Sequence, residues 1–351
     1  MLITKSVRKL EAYVPGEQPK SKNVIKLNTN ENPYPPSPKC AEVLAGFDLD
    51  KLRRYPDPNF VELRTAIAKL NHCTIDNVFV GNGSDEVLSI AAKAFVENDE
   101  KIGSLDPSYS LYKTLAAIRD VEWSGTPLSE STNRRIDKSI NSHTSLFLWT
   151  NPNAPTGTFV EPAEIAAFAK KFPGVVIVDE AYADFARDNA MKFATDPKNR
   201  NLMVMRTFSK SYSLAGLRVG YAVGPKPLIE ALFKVKDSYN IDAVAQAVAL
   251  AAFKDQKWMK ANARKVVKTR KAFTAALVKR GWDVAPSESN FVFAKPPANG
   301  PAADRIFAAL KERNIFVRYF SGALTRERLR ITIGTDEQMA ALLKALDDIN
   351  G

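Results

Sequence analysis

Cysteine and histidine are scarce in this 351-residue chain: Cys40 and Cys73 are its only thiols, and His72 and His143 its only imidazoles. Two cysteines cannot build a disulfide framework, and their scarcity fits a reducing cytoplasm. So few histidines, outside any Cys/His cluster, argue against a zinc site and against a Ser-His-Asp triad. No run of 18 apolar residues occurs, so no membrane span is expected. The first ten residues, Met1 to Leu10, are too polar for a signal peptide. Internal repeats are missing too, and the only biased tract is the proline-rich Asn32-Pro33-Tyr34-Pro35-Pro36-Ser37-Pro38.

What is present is ordinary for a globular protein: 45% apolar and 25% charged residues, over a length that accommodates two domains. The formal charge of +11 raises the question of nucleic acid. The basic residues are scattered, however, and the cluster from Arg264-Lys265 to Arg270-Lys271 reads as the solvated face of a helix. A basic excess also suits the attraction of small anionic substrates.

Residues 1–38 read as an arm, because Pro15-Gly16 and the prolines after Asn32 cannot sit in a continuous helix. Helices are expected from Pro38 to about Leu44 and from Pro58 to Leu70. Short apolar runs then alternate with helical patterns. Val78-Phe79-Val80, Lys101 to Leu105, Ser145 to Trp149, Val175 to Val178, Leu202 to Met205 and Val219 to Val223 are the strand candidates. Such alternation predicts an α/β domain over residues 39–240, with a mostly parallel sheet and chemistry at its strand ends. Residues 241–351 change character. A long helical stretch to about Arg280 leads into strand candidates at Asn290 to Phe293, Ile315 to Val317 and Leu329 to Ile333, and into two further helices. That pattern fits a smaller α+β domain.

Lys210 carries the most specific signal. It lies in Thr207-Phe208-Ser209-Lys210-Ser211, among small hydroxyl residues, with Arg218 eight residues later. A free lysine is a poor nucleophile at neutral pH; burial or a nearby cation activates it for imine formation. Val175-Val176-Ile177-Val178 ends in Asp179, a carboxylate suited to holding a ring nitrogen protonated, or simply to capping a helix. Tyr182 can donate to a ring oxygen or fill a half-buried core position. Gly81-Asn82-Gly83-Ser84-Asp85-Glu86 starts like a dinucleotide fingerprint but lacks the third glycine. A phosphate cradle at a helix N-terminus is the simpler reading, completed by Thr207, Ser209 and the fork of Arg218. Tyr109, after Asp106-Pro107-Ser108, suits stacking on a flat ring or core packing. Arg330 interrupts an apolar strand and Arg318 follows another; together they suit a carboxylate or phosphate, and singly they suit solvent.

Taken in order, these segments resemble the fold-type I, pyridoxal-phosphate-dependent aminotransferases, and within them most closely the histidinol-phosphate aminotransferases. The resemblance spans nearly the whole chain. It rests on Leu27-Asn28-Thr29-Asn30-Glu31-Asn32-Pro33, Arg54-Tyr55-Pro56-Asp57, the Gly81 turn, Pro107-Ser108-Tyr109, Asn151 to Gly157, Asp179-Glu180-Ala181-Tyr182, the Lys210 segment, and Leu329 to Gly334. It implies an α/β large domain with a mostly parallel seven-stranded sheet and a smaller α+β domain. It implies pyridoxal 5'-phosphate joined to Lys210, its ring nitrogen on Asp179, its ring oxygen on Tyr182 and its face on Tyr109. The cofactor phosphate would lie on Gly83, Ser84, Asp85, Thr207, Ser209 and Arg218. Tyr55 would reach the cofactor of a second copy, which implies a homodimer with shared sites. Arg330, assisted by Arg318, Tyr13 and Asn30, would bind glutamate and a phosphorylated imidazole substrate in alternate half-reactions. The implied reaction gives histidinol phosphate from imidazole acetol phosphate. A threonine-phosphate decarboxylase, or an aromatic or broad-range aminotransferase, is the implied alternative. One position departs from the family pattern: the residue before Pro155-Thr156-Gly157, commonly an asparagine that bonds the cofactor ring oxygen, is Ala154, which leaves either Asn153 next door as the substitute or Tyr182 acting alone.

Overall fold

A computed structural model describes residues 2–3, 7–8, 10, 16–19, 23–128 and 143–350. Tyr13 lies outside the described residues. The strands, numbered along the chain, are β1 (Ile25–Lys26), β2 (Val78–Gly81), β3 (Lys101–Asp106), β4 (Glu122–Pro127), β5 (Thr144–Thr150), β6 (Val175–Asp179), β7 (Leu202–Thr207), β8 (Gly220–Val223), β9 (Asp283–Val284), β10 (Phe291–Lys295), β11 (Ile315–Phe316), β12 (Arg318–Tyr319) and β13 (Leu329–Thr332).

Seven of them form one sheet in the order β2-β8-β7-β6-β5-β3-β4. β4, β3, β5, β6 and β7 run parallel, and β8 is antiparallel to both its neighbours. This is the α/β, mostly parallel sheet of a fold-type I aminotransferase that the resemblance implies. Apolar side chains on both faces of the central strands explain why they read as unbroken runs. Val176 and Val178 of β6 enter one apolar cluster with Phe147, Trp149 and Phe168. Ile177, between them, enters the other with Leu88, Leu148 and Met203. The period-2 alternation of a strand thus gives each face its own core.

A second sheet, β12-β13-β10-β9, is antiparallel throughout and packs with the helices Gln256–Lys279 and Ala303–Glu312. β1 pairs in parallel with β11, Ile25 opposite Ile315, so the arm is tied to the C-terminal part of the chain.

Two local readings need correction. The helix expected from Pro58 begins at Val61. The Asp57 carboxylate accepts from the Asn59 and Val61 amides, and Phe60 is left-handed at φ 51°, so the chain turns before it coils. The edge strand β4, the helix Leu111–Arg119 and the helix Lys226–Val235 were not expected. β4 reads Glu-Trp-Ser-Gly-Thr-Pro, and an edge strand of that polarity leaves no apolar run to detect.

Candidate active site

The parallel register places the ends of β3, β5, β6 and β7 along one rim of the sheet, where α/β proteins hold ligands. Asp179 closes β6, Thr150 closes β5 opposite it, and Thr207 closes β7. β8 runs the other way, so its first residue lies at the same rim: Gly220 pairs with both Gly81 and Thr207. That single reversal brings the Gly81 turn to the Lys210 segment and Arg218, which lie far from it in sequence.

The gathered groups form an anion-binding corner. Ser209 N–H donates to Thr207 Oγ1 at 3.1 Å, Thr207 Oγ1 donates to Ser209 Oγ at 3.0 Å, and Arg218 Nη1 reaches Ser209 Oγ at 3.4 Å. Arg218 also pairs with Asp85 at 3.3 Å, with both side chains nearly half exposed, so solvent screens that pair. The helix Gly83–Phe95 starts here, and its first backbone N–H groups have no partner inside the helix. Gly83 has φ +78°, and a Cβ there would stand 2.5 Å from Arg218 Nη2. A Gly83→Ala substitution is therefore expected to strain the turn and push the arginine aside. Titration with pyridoxal 5'-phosphate should show affinity lowered by about tenfold or more, since charge-assisted hydrogen bonds to an anion are lost. Tyr109 donates from its hydroxyl to Asp85 Oδ1 at 3.2 Å, which places it beside this corner.

Lys210 is partly buried, and its Nζ donates to the Thr29 carbonyl at 3.2 Å. Burial, then the nearby charge of Arg330, lowers its pKa to about 8, with Arg218 adding to the effect and Glu31 and Asp85 opposing it. Such an amine supplies a useful neutral fraction near physiological pH. Nζ also lies 5.9 Å from the centre of the Tyr182 ring.

Asp179 is almost entirely buried, at 4% exposure. Its Oδ2 accepts from Tyr112 Oη at 2.8 Å and its Oδ1 from the Ala181 amide at 3.2 Å. Burial raises its pKa to about 6 against those two hydrogen bonds. Among the described residues no cation lies within ion-pair distance of it. A buried carboxylate in that condition fits a ligand that brings its own positive charge, and a protonated pyridine ring is such a ligand.

The arm motif packs directly on these groups. Asn30 Nδ2 donates to Tyr182 Oη at 2.9 Å, while its backbone N–H donates to Thr332 Oγ1 and its Oδ1 accepts from the same hydroxyl. Asn32 Nδ2 donates to the carbonyls of Lys210 and Ser211 at 3.1 and 3.2 Å. Asn30 itself is buried. The structure therefore ties it to Tyr182.

Arg318 and Arg330 face each other across β12 and β13, and each guanidinium stands 5.3 Å from the Phe320 ring. Arg330 Nη2 also donates to the Asn28 carbonyl at 2.8 Å. Ala154 is buried in an apolar cluster. Beside it, Asn153 spends its Oδ1 on the Thr156 hydroxyl at 2.9 Å, and its buried Nδ2 has no partner among the described residues. Tyr55 is not brought to the corner: it is 80% exposed and its ring stacks on Tyr239 at 4.4 Å. The next residue, Asn240, holds Glu86 at 2.6 Å, close to the start of the helix Gly83–Phe95.

Several contributors escaped the sequence reading. Tyr112, from the helix Leu111–Arg119, bonds Asp179 directly, Thr150 at the end of β5 bonds Tyr112, and Ser108 bonds Thr150; neither Tyr112 nor Thr150 lies in a motif. Beneath the Lys210 segment, Arg206 grips Glu180 through Nε and Nη2 at 3.0 and 2.8 Å, and Ser211 donates to Asp184.

The family model for aminotransferase class I and II matches residues 22–346. A curated relative, histidinol-phosphate aminotransferase 2 of Rhizobium meliloti (strain 1021), is 45% identical over 349 residues, covering 98% of this chain and 97% of the relative. The crystal structure of histidinol-phosphate aminotransferase from Sinorhizobium meliloti in complex with pyridoxal-5'-phosphate superposes with a TM-score of 0.89 at 24% identity, covering 99% of this chain and 97% of that one. L-threonine-O-3-phosphate decarboxylase from Porphyromonas gingivalis gives 0.81 at 23% identity, covering 93% and 99%, so the fold alone does not separate these activities. Matched along almost its whole length by both family model and relative, the chain belongs to the aminotransferase class I and II family.

Proposed function

We propose that this protein is a pyridoxal 5'-phosphate-dependent aminotransferase that passes an amino group from glutamate to imidazole acetol phosphate, giving histidinol phosphate and 2-oxoglutarate. The observation that carries the reading is the rim itself, which gathers a lysine with a lowered pKa, a buried carboxylate that makes no ion pair among the described residues, the Thr207-Ser209-Arg218 anion corner and the paired Arg318 and Arg330. The name carried by the 45%-identical relative supports the substrate.

In this reading Thr207, Ser209, Arg218 and the backbone at Gly83, Ser84 and Asp85 hold the cofactor phosphate. Asp179 holds the ring nitrogen, Tyr182 the ring oxygen, and Tyr109 covers a face. Asn153 offers its open Nδ2 where Ala154 has none to give. When bound, the cofactor supplies a protonated ring that withdraws electrons from a substrate carbon. Lys210 Nζ binds the cofactor aldehyde between turnovers, and takes and returns the proton at that carbon. Arg330 and Arg318 clamp the substrate carboxylate in one half-reaction and its phosphate in the other, with Tyr13 assisting. Asn30 acts through Tyr182, whose hydroxyl it orients. Because one site serves both substrates in turn, the kinetics are ping-pong.

The same reading makes residues 39–240 the cofactor-binding domain, 241–351 the smaller domain and 1–38 an arm that contributes to the smaller domain and to the dimer. It makes the protein a cytoplasmic homodimer in which Tyr55 reaches the partner's cofactor phosphate. High exposure of Tyr55 suits that role. Among the described residues no helix is long and apolar enough to cross a membrane.

The test is a panel of amino acceptors with glutamate as donor, alongside carbon dioxide release from threonine phosphate. Imidazole acetol phosphate is expected to exceed phenylpyruvate in kcat/KM by about a hundredfold or more, because a site built around two arginines is left unpaired by an acceptor lacking the phosphate. Carbon dioxide release without amino transfer would overturn the assignment in favour of a decarboxylase. Equal use of phenylpyruvate would favour a broad-range enzyme.

A further inference from the structure

The carboxylate at the end of β6 is held by a chain of hydroxyls that no part of the reading above uses. Tyr112, in the first turn of the helix Leu111–Arg119, is fully buried. Its Oη lies 2.8 Å from Asp179 Oδ2 and 2.6 Å from Thr150 Oγ1. Ser108 Oγ lies 3.2 Å from Thr150 Oγ1. An ionised carboxylate only accepts hydrogen bonds, so Tyr112 must donate its one proton to Asp179. Thr150 must then donate to Tyr112, and Ser108 to Thr150. The chain runs one way, and each link polarises the next towards the carboxylate.

On this basis, and resting on the cofactor reading above, we propose that Tyr112 is a positioning residue: its phenolic O–H, oriented by Thr150 and Ser108, keeps Asp179 ionised and aimed at the cofactor's ring nitrogen. The need for such a device is evident from the surroundings. Burial drives a proton onto Asp179, and the charge of Asp85 works in the same direction. The hydrogen bonds of Tyr112 and Ala181 oppose them, and the charge of Lys210 does so more weakly. Tyr112 itself stays protonated, because burial and the facing carboxylate, with Tyr109 nearby, push its phenol well above its ordinary range. Packing alone does not require the hydroxyl. The ring sits in an apolar cluster and meets Tyr109 edge-on at 5.7 Å, which a phenylalanine ring would do equally well.

Tyr112→Phe therefore isolates the O–H. The experiment is fluorescence titration of the cofactor-free protein with pyridoxal 5'-phosphate across pH 5 to 9, with the absorbance of the bound form followed over the same range. Tyr112→Phe is expected to weaken binding at pH 7.5 by roughly tenfold, the scale of a hydrogen bond to a charged group. The acid limb of the binding profile should move to higher pH, because Asp179 loses a donor that stabilises its charge. Thr150→Val should move the limb in the same direction by less. Melting of the cofactor-free variants should stay cooperative, and if Tyr112→Phe does not fold, Thr150→Val carries the same test. Affinity within twofold of wild type with an unmoved limb sinks the proposal, and so does a limb that Thr150→Val moves to lower pH. A wild-type protein that takes up no pyridoxal 5'-phosphate sinks the cofactor reading as well. Normal wild-type uptake with an unchanged Tyr112→Phe profile sinks this inference alone.

Discussion

Lys210→Ala protein is expected to lose turnover by more than about 10⁴-fold, because in the proposed function one substitution removes both the covalent anchor and the proton carrier. The loss has a chemical signature besides rate. After borohydride treatment with pyridoxal 5'-phosphate, wild-type protein should gain one cofactor mass on the peptide containing Lys210, and the variant none. Small primary amines in the buffer should restore part of the variant's activity, since they can enter the space the side chain leaves. Capture of the aldehyde by the cofactor-free wild type should speed up as pH rises and level off above about 8, where the amine is neutral. In Arg330→Ala the plateau should move to higher pH, because that guanidinium is the largest charge holding the lysine down, second only to burial. Full turnover by Lys210→Ala would remove the basis of the proposed function.

Asp179→Asn carries the second large effect. Breaking a buried charge pair by removing one partner costs about 3–5 kcal/mol, so cofactor affinity and turnover together should fall by roughly a hundred- to a few thousandfold. The cofactor-free protein gives an independent readout with a definite sign. Asp179 has a folded-state pKa of about 6, above its ordinary 3.8. Between those values the folded state binds this proton more tightly than the unfolded chain does. Stability from this group therefore falls as pH rises from about 4 to about 6 and is level beyond. Asparagine has no proton to lose. The melting temperature of Asp179→Asn relative to wild type should accordingly climb with pH through that window and then stay constant. A difference independent of pH, or cofactor binding equal to wild type, would show that this carboxylate does not face the ring.

Much of the site was legible because strand ends leave a local mark. Val175 to Val178 followed by Asp179, and Thr207 to Lys210 after Leu202 to Met205, each place a functional group just beyond an apolar run. In a parallel sheet with both faces buried, that is where the rim must be. The Gly81 turn was legible for a similar reason: a glycine at φ +78° and the helix that follows it are both local features. β4 was illegible because an edge strand needs no apolar run, and the start of the helix at Val61 because a side-chain cap from Asp57 decided it.

The sequence by itself determined the α/β alternation, which rests on periods of two and 3.6, and singled out the lysine, the aspartate and the arginines as candidates by residue type and neighbouring motif. Which side chain serves which neighbour was decided only in three dimensions. The reversal of β8 brings Arg218 to Gly83, the register of β5 on β6 sets Thr150 beside Asp179, and the arm crosses 302 positions to fix Asn30 on Thr332. Spacing along a chain cannot encode such contacts, because strand order and register are global choices, set by how two apolar faces are buried at once.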